Sequence, residues 1–248
     1  MAYLSLSQKL SINRIATTTD NHPAGDCVPE TYELNLELAS HLLSNPGAGV
    51  PGQINRWKDS SDKGRDFIQL TDAAQPSWTG YGYSFDGNNE NMEMLGTAPH
   101  LTIHDDFTIG FAVKMSADTV SNLVTIADAS SANDFIRIKN IEEVEVKADG
   151  QLRTVVLDDS LPDGDPVGIV ITRTSGTMSV YIDGVRQGNQ ASFSGTKPLD
   201  IDTIGCRNNQ INDFIGDIGQ IIIYSCSELA TVLAVIRSID DTRVQMIQ

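Results

Sequence analysis

The chain predicts an all-β fold, a two-sheet antiparallel β-sandwich of jelly-roll type, and three observations carry that reading. Apolar residues recur with period two from about residue 107 to residue 224, the segments are short, and Gly-containing turn pairs separate them. Helical spacing stands out in one place only, near the C-terminus.

From the N-terminal side, residues 17–29 are polar and loop-like, after which Tyr32, Leu34, Leu36 and Leu38 alternate as in a strand. The run Asn45-Pro46-Gly47-Ala48-Gly49-Val50-Pro51-Gly52 reads as a linker. Residues 1–52 are therefore expected to form an arm or added layer, and residues 53–248 the sandwich with its helix. A strand in such an arm can add to a partner's sheet, which makes Tyr32, Leu34, Leu36 and Leu38 candidate partner-binding residues.

Phe107, Ile109, Phe111, Val113 and Met115 alternate with Thr108, Gly110, Ala112 and Lys114, so one face of that strand is wholly apolar. Val144 and Val146 lead to Asp149-Gly150, whose residue types suit the positive φ angles of a tight hairpin. Ser175-Gly176 and Asp183-Gly184 mark two more turns, giving a meander. The stretch 214–224 is rich in isoleucine without strict alternation, which predicts a central strand covered on both faces. Leu229, Val232, Leu233 and Ile236 then follow i, i+3, i+4, i+7 spacing, with a capping box in Ser225-Cys226-Ser227-Glu228.

Composition excludes several classes. The 248 residues include 40% hydrophobic and 20% charged positions, and 17 Lys+Arg against 33 Asp+Glu give a net charge of −16. Such a polyanion repels phosphate backbones and anionic lipid heads, so neither nucleic acid nor membrane is an expected partner. No run of apolar residues suits a secretory signal or a membrane span, and synthesis in a reducing cytoplasm is expected. Cys27, Cys206 and Cys226 are odd in number and widely spaced, which suggests buried thiols rather than a disulfide framework or a zinc site.

Four stretches, in this order, resemble the laminin-G-like and pentraxin-like branch of the concanavalin A-like lectin/glucanase superfamily. They are Tyr83-Ser84-Phe85-Asp86-Gly87, Phe107-Thr108-Ile109-Gly110-Phe111-Ala112-Val113-Lys114, Met178-Ser179-Val180-Tyr181-Ile182-Asp183-Gly184, and the closing strand from Phe214 to Tyr224. The likeness spans about residues 53–237. Upstream, Trp57-Lys58-Asp59-Ser60-Ser61 with Gly64 and Asp66, followed by Gln75-Pro76, looks like a flank common in members found on phage particles and bacterial surfaces. The resemblance implies a non-enzymatic virion structural protein, foremost a bacteriophage head decoration protein on the capsid exterior. Its partner would then be the major capsid protein or another virion protein, with a homo-oligomer also in view. The alternative it implies is a carbohydrate-binding adhesin or tail receptor-binding component, with a glycan as partner.

Glucanases of this superfamily carry paired carboxylates in an E-x-D-x-x-E pattern, as glycoside hydrolysis requires, and that pattern is absent. The nearest acidic run, Glu142-Glu143-Val144-Glu145, is expected to be a solvated strand face, with Val144 and Val146 turned to the core. No catalytic residue and no enzymatic activity are expected. His100 and His104 sit on strand-like sequence, too far apart for a shared metal, and His22 and His41 lack a nucleophile motif. Relatives hold a structural calcium near the closing strand, but Gly219-Gln220 replace the usual Asp-Glu, leaving Asp86 and Asp217 as acidic oxygens; no cofactor is expected. Trp78, Tyr81 and Tyr83 form the one aromatic concentration and are candidate sugar-stacking residues, although the alternation of Tyr81, Tyr83 and Phe85 also suits burial. The loop from Leu157 to Pro166 reads as surface.

Overall fold

The computed structural model describes residues 34–39, 56–61, 63–95, 101–115, 123–127, 132–206 and 213–247. Its strands in chain order are β1 (Leu34–Ala39), β2 (Arg56–Trp57), β3 (Phe67–Ile68), β4 (Ser77–Trp78), β5 (Tyr83–Asp86), β6 (Met92–Met94) and β7 (Leu101–Ile103). There follow β8 (Phe107–Lys114), β9 (Leu123–Ala127), β10 (Phe135–Lys139), β11 (Glu143–Ala148), β12 (Gln151–Val156) and β13 (Pro166–Thr174). Last come β14 (Thr177–Ile182), β15 (Val185–Arg186), β16 (Ala191–Ser192), β17 (Leu199–Ile201), β18 (Thr203–Ile204), β19 (Ile215–Tyr224) and the helix α1 (Leu229–Gln245).

One sheet runs β15-β14-β13-β8-β19-β5-β4, with β1 added beside β19 and β16 beside β14. The facing sheet runs β12-β11-β10-β9-β18-β6-β3-β2, and β7 and β17 form a separate ribbon. Every pairing is antiparallel, as the period-two pattern requires. Between the sheets lies one continuous core to which Trp57, Phe67, Phe85, Phe111, Val146 and Ile221 belong. Each large side chain so buried contributes about 1.5–3 kcal/mol.

The alternation in β8 sorts its residues as expected: Phe107, Ile109, Phe111 and Val113 enter that core. The other face of β8 is covered as well, because α1 lies across it. Ala112, Val170 and Ile222 on the sheet pack against Val235, Ile239 and Met246 of the helix end of the chain. The close approach depends on Gly110, where a Cβ would stand 2.5 Å from Val235 Cγ1 and 2.8 Å from Ile239 Cγ1. This third layer explains why β19 is buried on both faces.

The three turn pairs form hairpins, with positive φ at Asp149 and Gly150, Ser175 and Gly176, and Asp183 and Gly184. The helix differs from expectation in face and cap. Its buried residues are Thr231, Val232, Val235, Ile239 and Thr242, whereas Leu229 is 70% exposed and Leu233 is also exposed. Two threonines thus belong to the packed stripe, which apolar spacing alone passes over. Glu228 is the N-cap residue and makes no side-chain cap bond, so the capping box does not form; Ser227 Oγ instead lies 3.4 Å from Asp106 Oδ2.

The strand assigned to the arm is part of the sandwich. In β1, Leu34 pairs with Tyr224, Leu36 with Ile223 and Leu38 with Ile221. Leu38 is fully buried in the chain's own core, which corrects its reading as a contact for a partner. One hydrogen-bonding edge of the strand is taken by β19, and on the other Asp59 accepts from the Glu37 N–H at 3.1 Å. Tyr32 and the 45–52 linker lie outside the described residues.

Glu145 is a second correction. It is 3% exposed, not solvated, because β11 is an interior strand and its neighbours supply long polar side chains directly opposite. Arg137 and Thr154 stand across from it on β10 and β12. Arg137 Nε donates to Glu145 Oε2, and Lys139 Nζ lies 3.6 Å from Oε1. Val144 and Val146 face the core as expected.

Candidate functional site

The sequence motifs scatter rather than converge. Tyr83 is fully buried, stacked on Trp57 with ring centroids 4.0 Å apart. Trp78 meets Tyr83 edge-on at 5.4 Å and is itself partly buried against the main core. Tyr81 packs with the cluster under α1, on the opposite side of the sheet. These three rings therefore present no common flat platform. His104 is exposed just beyond β7, and His100 lies outside the described residues.

Asp86 and Asp217, the acidic residues near the closing strand, lie on neighbouring strands. Asp86 stands opposite Ile215 and Asp217 opposite Ser84 on paired strands, and Asp86 Oδ1 accepts from the Asn88 N–H at 2.7 Å. Among the described residues no three His, Cys, Asp or Glu side chains form a group able to hold a metal. Cys206 and Cys226 are free and buried, and burial pushes the Cys206 thiol up to about 11; Cys27 lies outside the described residues. No helix among those residues is long and apolar enough to cross a membrane.

A cleft of about 450 Å³ opens elsewhere, at the end of the sandwich where β13 turns into β14. That volume falls in the range of small-ligand sites, ~300–1,000 Å³. Its walls come from the loop before β8 (Asp105, Asp106), the β13–β14 turn (Ser175, Gly176) and the segment before β17 (Thr196, Lys197). Arg173, the penultimate residue of β13, forms its floor with Phe193.

Arg173 is 2% exposed and held from several sides. Its Nε donates to the Asp105 carbonyl and its Nη1 to the Lys197 carbonyl. The guanidinium lies 4.9 Å from the Phe107 ring centroid and 5.6 Å from that of Phe193, close enough for cation–π attraction. Burial holds its pKa below the usual guanidinium value, with Asp105 and Asp106 pulling the other way. Its Nη2 is buried and has no hydrogen-bond partner among the described residues. A buried donor left unmet costs about 1–3 kcal/mol, and this one is shielded from the open cleft.

The carboxylates differ in what they have left to offer. Asp106 Oδ1 accepts from the Ser175 N–H at 2.8 Å and Oδ2 faces the Ser227 hydroxyl at 3.4 Å. The Asp105 side chain is exposed, its carbonyl alone being used by Arg173. Lys197 Nζ pairs with Asp149 Oδ2 at 2.8 Å on the rim. The cleft thus brings together an exposed acceptor-only group and the hydroxyls of Ser175 and Thr196 over Phe193, a polar repertoire that suits a polyol.

Comparison with known proteins agrees with the architecture. A laminin-G-type family model, described as the concanavalin A-like lectin/glucanases superfamily, matches residues 86–230, more than half of the chain. No curated protein sequence matches it. Among solved structures, the botulinum neurotoxin serotype D binding domain superposes with a TM-score of 0.54 at 14% identity, over 83% of this chain and 50% of that one. A Trypanosoma rangeli sialidase gives 0.54 at 11% identity over 81% of this chain and 31% of the sialidase. Domain 4 of an extracellular GH43 arabinanase from Geobacillus stearothermophilus, solved with arabinotriose, gives 0.50 at 14% identity over 83% of this chain and 98% of that domain. The chain spans about a third of the sialidase and half of the neurotoxin domain, and at these identities the likeness is one of fold. The sequence pattern, the jelly-roll sandwich and the matched family model agree: the chain belongs to the concanavalin A-like lectin/glucanases superfamily.

Proposed function

We propose that this chain is a non-enzymatic glycan-binding module that holds a neutral sugar in the Arg173 cleft and is displayed on the outside of a virion. The observation that carries the binding reading is the cleft of about 450 Å³ that brings the exposed Asp105 carboxylate together with the exposed Ser175 and Thr196 hydroxyls. A sugar's hydroxyls donate to Asp105, and its oxygens accept from the Ser175 and Thr196 hydroxyls, with Arg173 holding the loops of the wall from below. Structural relatives that bind other molecules, among them the arabinanase domain solved with arabinotriose, support a binding role for the fold.

The ligand is neutral on electrostatic grounds. The chain carries a net charge of −16, and of the four charged residues lining the cleft Arg173 is buried and Lys197 is paired with Asp149, so an acidic sugar would meet the exposed Asp105 carboxylate. Hydrolysis is not part of the proposal, because it needs two available carboxyl groups flanking the bond, and both oxygens of Asp106 are engaged by Ser175 and Ser227.

Placement on a virion, as a decoration or receptor-binding component, is supported by the resemblance of the Trp57–Asp66 flank to virion proteins. Docking on a capsid protein through Leu38 is not proposed, since that side chain is buried in the chain's own core. The test is a glycan array probed with the wild-type chain and with Asp105→Asn. Binding that the substitution removes supports the reading; a blank array from folded protein overturns it. Mass spectrometry of gradient-purified particles tests the placement, and absence of the chain from particles contradicts it.

A further inference from the structure

A second depression, about 260 Å³, lies on the outer face of the same sheet, beside the N-terminus of α1. It adjoins the Arg173 cleft by construction. The turn between β13 and β14 gives Ser175 and Gly176 to the cleft, while their neighbours Thr174 and Thr177 line the groove. On the other side the rim is closed by Ser227 of the groove, whose Oγ lies 3.4 Å from Asp106 Oδ2 of the cleft.

The polarity of β13 changes where the helix stops. Gly168 and Val170 lie under Ile239 and the α1 cluster, but Thr172 and Thr174, next on the same face, carry hydroxyls. Across from them on β14 stand Ser179 and Thr177, so the floor is a ladder of paired hydroxyl residues. Ser179 Oγ is oriented by the Gln190 amide at 2.7 Å and by Arg186 Nη2 at 3.4 Å. The Tyr181 ring, partly buried against the helix, forms the far wall with the exposed Arg186. No carboxylate lines this groove among the described residues, whereas two line the cleft.

On the reading that the cleft holds a sugar, we infer that the ligand is a neutral oligosaccharide chain that continues over the Ser175-Gly176 turn into this groove. The four residue steps from Thr177 to Tyr181 span ~13 Å of strand, more than a single sugar ring covers. The cleft supplies acceptors to hydroxyl protons, and the groove supplies donors from Arg186 and Gln190 with a Tyr181 face for a ring to pack on.

The test is a printed series in which each glycan appears as mono-, di-, tri- and tetrasaccharide, probed with wild-type protein and with the double variant Arg186→Ala, Gln190→Ala. Both replaced side chains are exposed, so the fold is retained, and a thermal melt checks it. The expected result is wild-type binding that tightens about tenfold from mono- to tetrasaccharide, with the variant keeping monosaccharide binding within about twofold and losing the gain with length. A flat wild-type series with the monosaccharide bound overturns the extension alone. A length gain that survives in the variant overturns its placement in the groove. A blank wild-type series overturns the cleft reading itself, and this inference with it.

Discussion

The guanidinium carbon of Arg173 lies 4.9 Å from the ring centroid of Phe107, a core residue of the first long strand, β8. The arginine is thereby fixed between the apolar core and the open cleft, with carbonyls from two distant loops locking its fork. Lysine offers neither the planar stack nor two fixed donors. Arg173→Lys is expected to destabilise the fold by about 1–3 kcal/mol, read from the urea midpoint at constant m-value.

Glu145 and Glu143 lie two residues apart on β11, yet their substitutions should differ sharply. Removing Glu145 leaves Arg137 at 15% side-chain exposure without its partner, so Glu145→Ala should cost about 3 kcal/mol. Glu143 pairs with Lys139 nearer the surface, and Glu143→Ala should stay within about 0.5 kcal/mol of wild type. Denaturant titration of both variants decides between them.

Tyr83 carries a buried hydroxyl with no hydrogen-bond partner among the described residues, and burial drives its pKa upward. Deleting that oxygen removes an unmet polar group while keeping the ring stacked on Trp57. Tyr83→Phe is therefore expected to raise stability by about 1 kcal/mol, seen as a higher melting temperature.

Burial pushes the Glu90 carboxyl up to about 7, opposed by the hydrogen bond its Oε2 accepts from the Asp86 N–H. A carboxyl whose folded pKa exceeds its unfolded value takes up a proton on folding, so its stabilising contribution is complete below about pH 4.5 and is lost as pH rises through 7. Glu90→Gln keeps an acceptor and removes the titration. The melting temperature of the variant relative to wild type should rise between pH 5 and pH 8, and an unchanged difference would refute the assignment.

The sandwich was legible because its signals are local. Period two in Phe107 to Met115 and the Asp-Gly and Ser-Gly pairs depend only on neighbouring residues, and the strands and turns stand where these place them. The β10–β11 turn gave no such signal, since it sets Asn140 and the β-branched Ile141 at positive φ without a glycine. The helix face was displaced because Thr231 and Thr242 count as polar by residue type and as core by position. The Arg173 site was hidden for a similar reason. Its hydrogen-bond partners are backbone carbonyls 68 and 24 residues away, which no side-chain motif encodes. An arginine closing the apolar run of β13 was the one available hint.

Calorimetric titration of the chain with the tightest glycan from the array, set against the same titration of Asp105→Asn, reads the contact between sugar and cleft. One site per chain is expected, with a loss of about tenfold or more in affinity in the variant and its melting temperature unchanged. Equal affinity in the two proteins would contradict the placement of the sugar beside Asp105 and Arg173.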